Sequence, residues 1–124
     1  MSDNHSDSLQ TLTAAVLAFR DARDWRQFHS PRNLAAALAI EAAELQETLL
    51  WKSDEQIVAA LDVPEQRNKI GDEIADVLIY ALLFADAAGI NPSVAIRNKL
   101  LKNELKYPID KARGSAQKYT DFES

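Results

Sequence analysis

Between Pro64 and Gly89 the chain reads PEQRNKIGDEIADVLIYALLFADAAG, with no proline or serine inside it. A proline can open a helix, and a glycine can close one. The segment therefore predicts one long helix to about Ala88. Ile70, Ile74, Val77, Leu78, Ile79, Tyr80, Leu82, Leu83 and Phe84 make its second half apolar nearly all round. Such a helix needs cover on every side. A chain of 124 residues has little material for that. The feature predicts an all-α bundle completed by oligomerisation, a dimer or a dimer of dimers. Only 3 Gly and 4 Pro in the chain leave little for hairpin turns, which agrees with an all-α class.

Helix signals flank this segment on both sides. Ser8 can cap a helix running to about Arg23, with Leu9, Leu12, Val16 and Phe19 on one face. Ser30-Pro31 starts a second helix that continues to about Trp51. The run "SDEQ" at 53–56 has the form of a capping box and opens a short helix through about Leu61. Asn91-Pro92 opens a helix to about Lys106, and Pro108 ends it. Residues 1–7 read as a disordered tail, 8–108 as the folded domain, and 109–124 as an irregular tail able to close over a site.

Bulk properties exclude several classes. With 47% hydrophobic and 27% charged residues, the chain should fold. It has no cysteine, so disulfides and thiolate metal sites are excluded. The start "MSDNHSDS" lacks the basic and apolar regions of a signal peptide. No uncharged run reaches the roughly 20 residues of a membrane span. These features predict a soluble cytoplasmic protein without a membrane partner. A net charge of −5 argues against a nucleic-acid polymer as partner. The same objection fails for a phosphorylated small molecule if divalent cations supply positive charge.

The acids carry the chemistry. Glu41 and Glu44 are three apart and share a helix face, and Glu73 and Asp76 repeat the spacing. Both pairs lie in strongly apolar helices. Antiparallel packing would bring four carboxylates together. A lone helix glutamate is ordinarily solvated. Asp76, however, has Ala75 before it and "VLIYALLFA" after it, and aspartate is a poor residue in mid-helix. Desolvated carboxylates without partners cost several kcal/mol each, against a total stability of roughly 5–15 kcal/mol. Neither segment offers an adjacent Lys or Arg. The acids thus remain wet, face basic groups from elsewhere, or bind cations. An all-oxygen set suits Mg²⁺ or Mn²⁺, and the absence of Glu-x-x-His motifs argues against a di-iron bundle. Mg²⁺ on carboxylates commonly completes its shell with water and substrate phosphates. Glu47 is either an outer ligand or a solvated acid, and Asp72 points away from Glu73.

Trp25, Phe28, His29 and Trp51 could stack on a base or pack in a core. Lys99, Asn103 and Lys106 share a helix face, which is either solvated or directed at phosphate oxygens and a base edge. Lys111, Arg113 and Lys118 could close over a polyanion.

The segments "IEAAELQE" and "DEIADVLIY" resemble the paired Glu-x-x-Glu and Glu-x-x-Asp motifs of the all-α nucleoside triphosphate pyrophosphohydrolases, the MazG-like superfamily. The flanking "DWRQFHSPRNL", "LLWKSDE", "ADVLIYALLFA", "NKLLKNELKYP" and "ARGSAQKYTDF" are similar to its dCTP pyrophosphatase branch. The resemblance implies Mg²⁺-dependent hydrolysis of a (deoxy)nucleoside triphosphate to monophosphate and pyrophosphate. It implies Glu41, Glu44, Glu73 and Asp76 as metal ligands. It also implies Trp25, His29, Trp51 and Tyr80 around the nucleoside, and Lys99, Asn103 and Lys106 as phosphate and nucleotide contacts. Glu44 would orient or deprotonate the attacking water. Helices of different subunits would complete each site. The connector 53–69 departs from the pattern and bears on substrate choice. Two alternatives stand beside this reading. One is the same fold acting on dUTP or several triphosphates, and the other is a catalytically idle nucleotide- or protein-binding module.

Overall fold

The computed structural model describes residues 7–122. The expected tail at 1–7 therefore lies almost wholly outside the described residues. Helices make up the structure: α1 Leu9–Ala22, α2 Pro31–Leu49, α3 Asp54–Leu61, α4 Pro64–Ala87, α5 Pro92–Lys106 and the short α6 Ile109–Ala112. Single 3-10 turns occur at Arg26–Phe28 and Tyr119–Asp121. No strand occurs among the described residues, as the turn-poor composition requires.

Polar caps start the helices where the sequence places them. Ser8 accepts from the Thr11 amide at 3.0 Å and Ser30 from the Asn33 amide at 3.2 Å. Ser53 and Gln56 form the reciprocal capping box, at 3.1 and 2.9 Å. Asn91 accepts from the Val94 amide at 3.2 Å. Each cap satisfies an amide that the first helical turn would leave unpaired. Gly89, at φ 68°, closes α4. Its amide bonds the Asp86 carbonyl, and the Ile90 amide bonds the Ala85 carbonyl, the two bonds of a Schellman ending.

Two boundaries differ from expectation. α2 stops at Leu49 rather than running to Trp51, because Leu50 turns extended and Trp51 takes a left-handed φ of 64°. The stretch expected to be irregular after residue 108 holds α6 and the second 3-10 turn. There Tyr107 meets Tyr119 and Phe122 edge-on, with ring centroids 5.9 and 5.8 Å apart. These aromatic contacts give the tail the partners that its composition does not advertise.

The chain divides into two units, the first ending at Ile90 and the second beginning at Asn91. α5, grouped by the sequence with the preceding helices, falls in the second. In the first unit, α4 is the central element. It packs mainly against α2 and also against α1 and α3. Leu34 of α2 is 1% exposed, and Leu83 and Ala85 of α4 and Ala60 of α3 complete the buried apolar set. The α1 stripe is covered only in part: Leu9 and Val16 are half-buried, whereas Leu12 and Phe19 are exposed.

Candidate functional site

α2 and α4 run in opposite directions. Glu41 lies beside Glu73 and Asp76, while Glu47 and Thr48, further along α2, face Gln66 and Lys69, nearer the start of α4. This pairing turns two i, i+3 spacings into one cluster. Carboxylate oxygens of Glu41, Glu73 and Asp76 all lie within 4.8 Å of one another, and the three residues are half-buried. Like charges this close resist joint ionisation. The Glu41 carboxyl is pushed from 4.5 up to about 7, first by hydrogen bonding with Glu44, then by desolvation and the charges of Glu44, Asp76 and Glu73. Glu73 is raised as well, by desolvation first and then by Glu44, Asp76 and Asp72. One oxygen of Glu41 and one of Glu73 are buried without a hydrogen-bond partner. Hard oxygen donors that face one another and lack donors suit a divalent cation. Glu41, Glu73 and Asp76 could hold it, with Glu44 at their edge.

Two cavities meet the carboxylates from different sides. One, of about 420 Å³, is lined by Trp25, His29 and Tyr80 with Phe19, Ile79 and Leu83, and Asp76 reaches its wall. The connector between α1 and α2 builds one side. Asp24 takes φ 53°, a conformation aspartate tolerates, and the 3-10 turn follows. Trp25 then meets Phe19 edge-on, with centroids 5.8 Å apart. His29 ends the turn with a buried Nδ1 that has no hydrogen-bond partner. An apolar chamber with a few polar groups is the form of a small-molecule site.

The second cavity, of about 690 Å³, is polar and is lined by Glu44, Glu47, Thr48, Lys52, Gln66, Lys69 and Glu73. It sets two lysines, Lys52 and Lys69, in the same cavity as Glu44 and Glu73. Lys69 stands one turn before Glu73, a spacing that puts them on one face. Spacing alone could have identified Lys69. Lys52 could not have been found this way, since it follows the break in α2.

Of the expected nucleoside residues, Trp25, His29 and Tyr80 come together and Trp51 does not. Trp51 is 93% exposed and lines neither cavity. Lys99, Asn103 and Lys106 lie on α5 in the second unit. Within that unit the Lys106 ammonium sits 4.9 Å from the Tyr119 ring centre, a cation–π contact.

Residues 36–122 match the MazG-like family. The chain is 42% identical over 115 residues to dCTP pyrophosphatase 1 of Mus musculus, a match that covers 93% of this chain and 68% of that protein. It is 39% identical to dCTP pyrophosphatase 1 of Homo sapiens over the same shares. The crystal structure of a pyrophosphatase from Archaeoglobus fulgidus DSM 4304 superposes with a TM-score of 0.73 at 39% identity, covering 87% of this chain and 99% of that one.

Proposed function

The chain belongs to the MazG-like family, and on that premise we propose that it is a nucleoside triphosphate pyrophosphohydrolase converting dCTP, or a modified dCTP, to the monophosphate and pyrophosphate. The observation that carries this reading is the double position of Asp76. It belongs to the carboxylate cluster and to the wall of the aromatic cavity at once. A nucleoside between Trp25, His29 and Tyr80 would therefore direct its phosphates to the acids.

Glu41, Glu44, Glu73 and Asp76 would hold Mg²⁺, with Mn²⁺ as a substitute. The bound ion supplies charge neutralisation for the triphosphate and the leaving pyrophosphate. Trp25, His29 and Tyr80 hold the nucleoside and exclude water from it. Glu44, exposed and beside Glu41, orients or deprotonates the water that attacks at the α–β phosphoanhydride. Lys52 and Lys69 face the polyphosphate across the polar groove. Trp51, Lys99, Asn103 and Lys106 are assigned nucleotide and phosphate contacts on the resemblance alone. On the resemblance alone, residues 8–108 are assigned as the catalytic domain and 109–124 as its C-terminal tail.

The deciding experiment is a panel of triphosphates assayed with Mg²⁺ for pyrophosphate and monophosphate. Pyrophosphate from dCTP or a 5-substituted analogue is the expected result, and orthophosphate as sole product contradicts it. Preference for dUTP, or equal rates on several triphosphates, would replace the substrate assignment. Glu44→Ala and Asp76→Ala should each lose about 10²–10⁴-fold in kcat with helical circular dichroism intact. Full activity in both variants removes the site assignment. Calorimetric binding of dCTP without any product would make the chain a nucleotide-binding module.

A further inference from the structure

Arg20 is a charged residue in a place where charge is costly. It is 5% exposed, on α1, and it lines the aromatic cavity. Its Nε donates to Asp21 Oδ1 and its Nη1 to Asp86 Oδ2, both at 2.8 Å. The first bond stays within α1. The second crosses to α4, the helix that carries Glu73, Asp76 and Tyr80. The main chain of the same residue holds the connector, because its carbonyl accepts from the Arg23 and Trp25 amides, both at 3.2 Å. One residue thus joins the Trp25 turn to α4, through its backbone on one side and its side chain on the other.

Apolar packing supports this tie only in part, since Val16 of α1 is half-buried while Leu12 and Phe19 remain exposed. A guanidinium bonds in two fixed directions at once, which a flexible ammonium does not. Asp86 lies six residues beyond Tyr80 and ten beyond Asp76, so about 9 and 15 Å along the helix. The tie therefore lies at the aromatic end of the cavity, about 15 Å along α4 from the one carboxylate that reaches its wall. Behind it, a cavity of about 170 Å³ is lined by Arg20, Arg26, His29 and Asp86, so the rear of His29 belongs to the same polar layer.

We propose that the Arg20–Asp86 pair is a positioning and specificity device that holds the Trp25 and His29 wall against the Tyr80 wall and so sets the width of the nucleoside cavity. The proposal rests on the pyrophosphohydrolase reading for its kinetic consequence, but not for its structural one.

Two measurements test it. In kinetics, Asp86→Asn should raise KM for the preferred triphosphate on the order of tenfold, the scale at which a slightly misplaced binding wall is felt. Preference over the next-best triphosphate should shrink by a similar factor. The kcat should stay within about twofold at an unchanged Mg²⁺ requirement, since the carboxylates are not touched. Asp86→Glu, which keeps the charge, should recover most of the loss. A folded Asp86→Asn protein with unchanged KM and unchanged base preference overturns the proposal, whatever its melting temperature. Should that variant not fold, Arg20→Lys keeps the charge without the two-directional geometry and serves the same comparison. The second measurement needs no turnover. In a Trp51→Phe background the fluorescence belongs to Trp25, and acrylamide quenching should rise when Asp86 becomes Asn. If the wild-type chain cleaves no triphosphate, the function reading fails, and quenching alone decides the clamp. Increased quenching supports it, and unchanged quenching overturns it.

Discussion

At Glu41 the folded chain binds a proton more tightly than the unfolded chain does, because its carboxyl is raised from 4.5 to about 7 by Glu44, desolvation and the neighbouring acids. A raised acid favours the fold while protonated. Its contribution is fully present below about pH 4.5 and is lost as pH rises through about 7. Metal-free protein in EDTA should therefore melt lower at pH 8 than at pH 5.5. Added Mg²⁺ should raise the melting temperature more at pH 8, where fewer protons compete for the oxygens. Glu41→Gln should flatten the dependence in scanning calorimetry. A Gln variant with the wild-type pH difference would show that the sensitivity arises elsewhere. The three clustered acids were legible in the sequence because their spacing is helical and their neighbours are apolar. Arg20 was not, since its partner lies 66 residues away. The exposure of Trp51 was equally hidden, because nothing in "TLLWKS" reveals that the backbone leaves the helix one residue earlier.

Helix starts read more clearly than helix ends, and the capping chemistry explains why. Ser53 and Gln56 name a boundary by their own side chains, whereas the end of α2 carries no glycine and depends on Leu50 turning away. The four-residue α6 is too short to show a period. Ser53→Ala tests the strongest cap. It should cost about 1 kcal/mol and lower the melting temperature by roughly 2–6 °C for a domain of this size. Buried Ala60 lies on the helix that this cap starts, so fraying should also loosen α3 against α4. Thermal unfolding followed by circular dichroism reads the change. An unaltered midpoint would show that packing, and not the capping box, sets the start of α3.

For the whole molecule, the apolar surface is the strongest constraint. Leu78 of α4 is 58% exposed and Leu105 of α5 is 83% exposed, with Val58, Leu100, Leu101 and Ile109 exposed as well. Single exposed leucines are ordinary, but several of them in each of the two units motivate the proposal that another copy of the chain covers them. The apolar second half of α4 carries the same expectation from sequence, and neither observation sets the number of subunits. A homodimer or homotetramer is the expected state, so light scattering should return about two or four times 13.8 kDa. Because association stabilises only the folded chain, the melting temperature should climb with protein concentration. Leu105→Glu discriminates best. In an isolated chain this exposed position tolerates a charge with little effect. In an assembly it places an unpaired carboxylate in an apolar contact, and the oligomer should dissociate or melt lower. A 13.8 kDa species at micromolar concentration, with a melting point independent of dilution and of Leu105→Glu, would mean that these leucines face water.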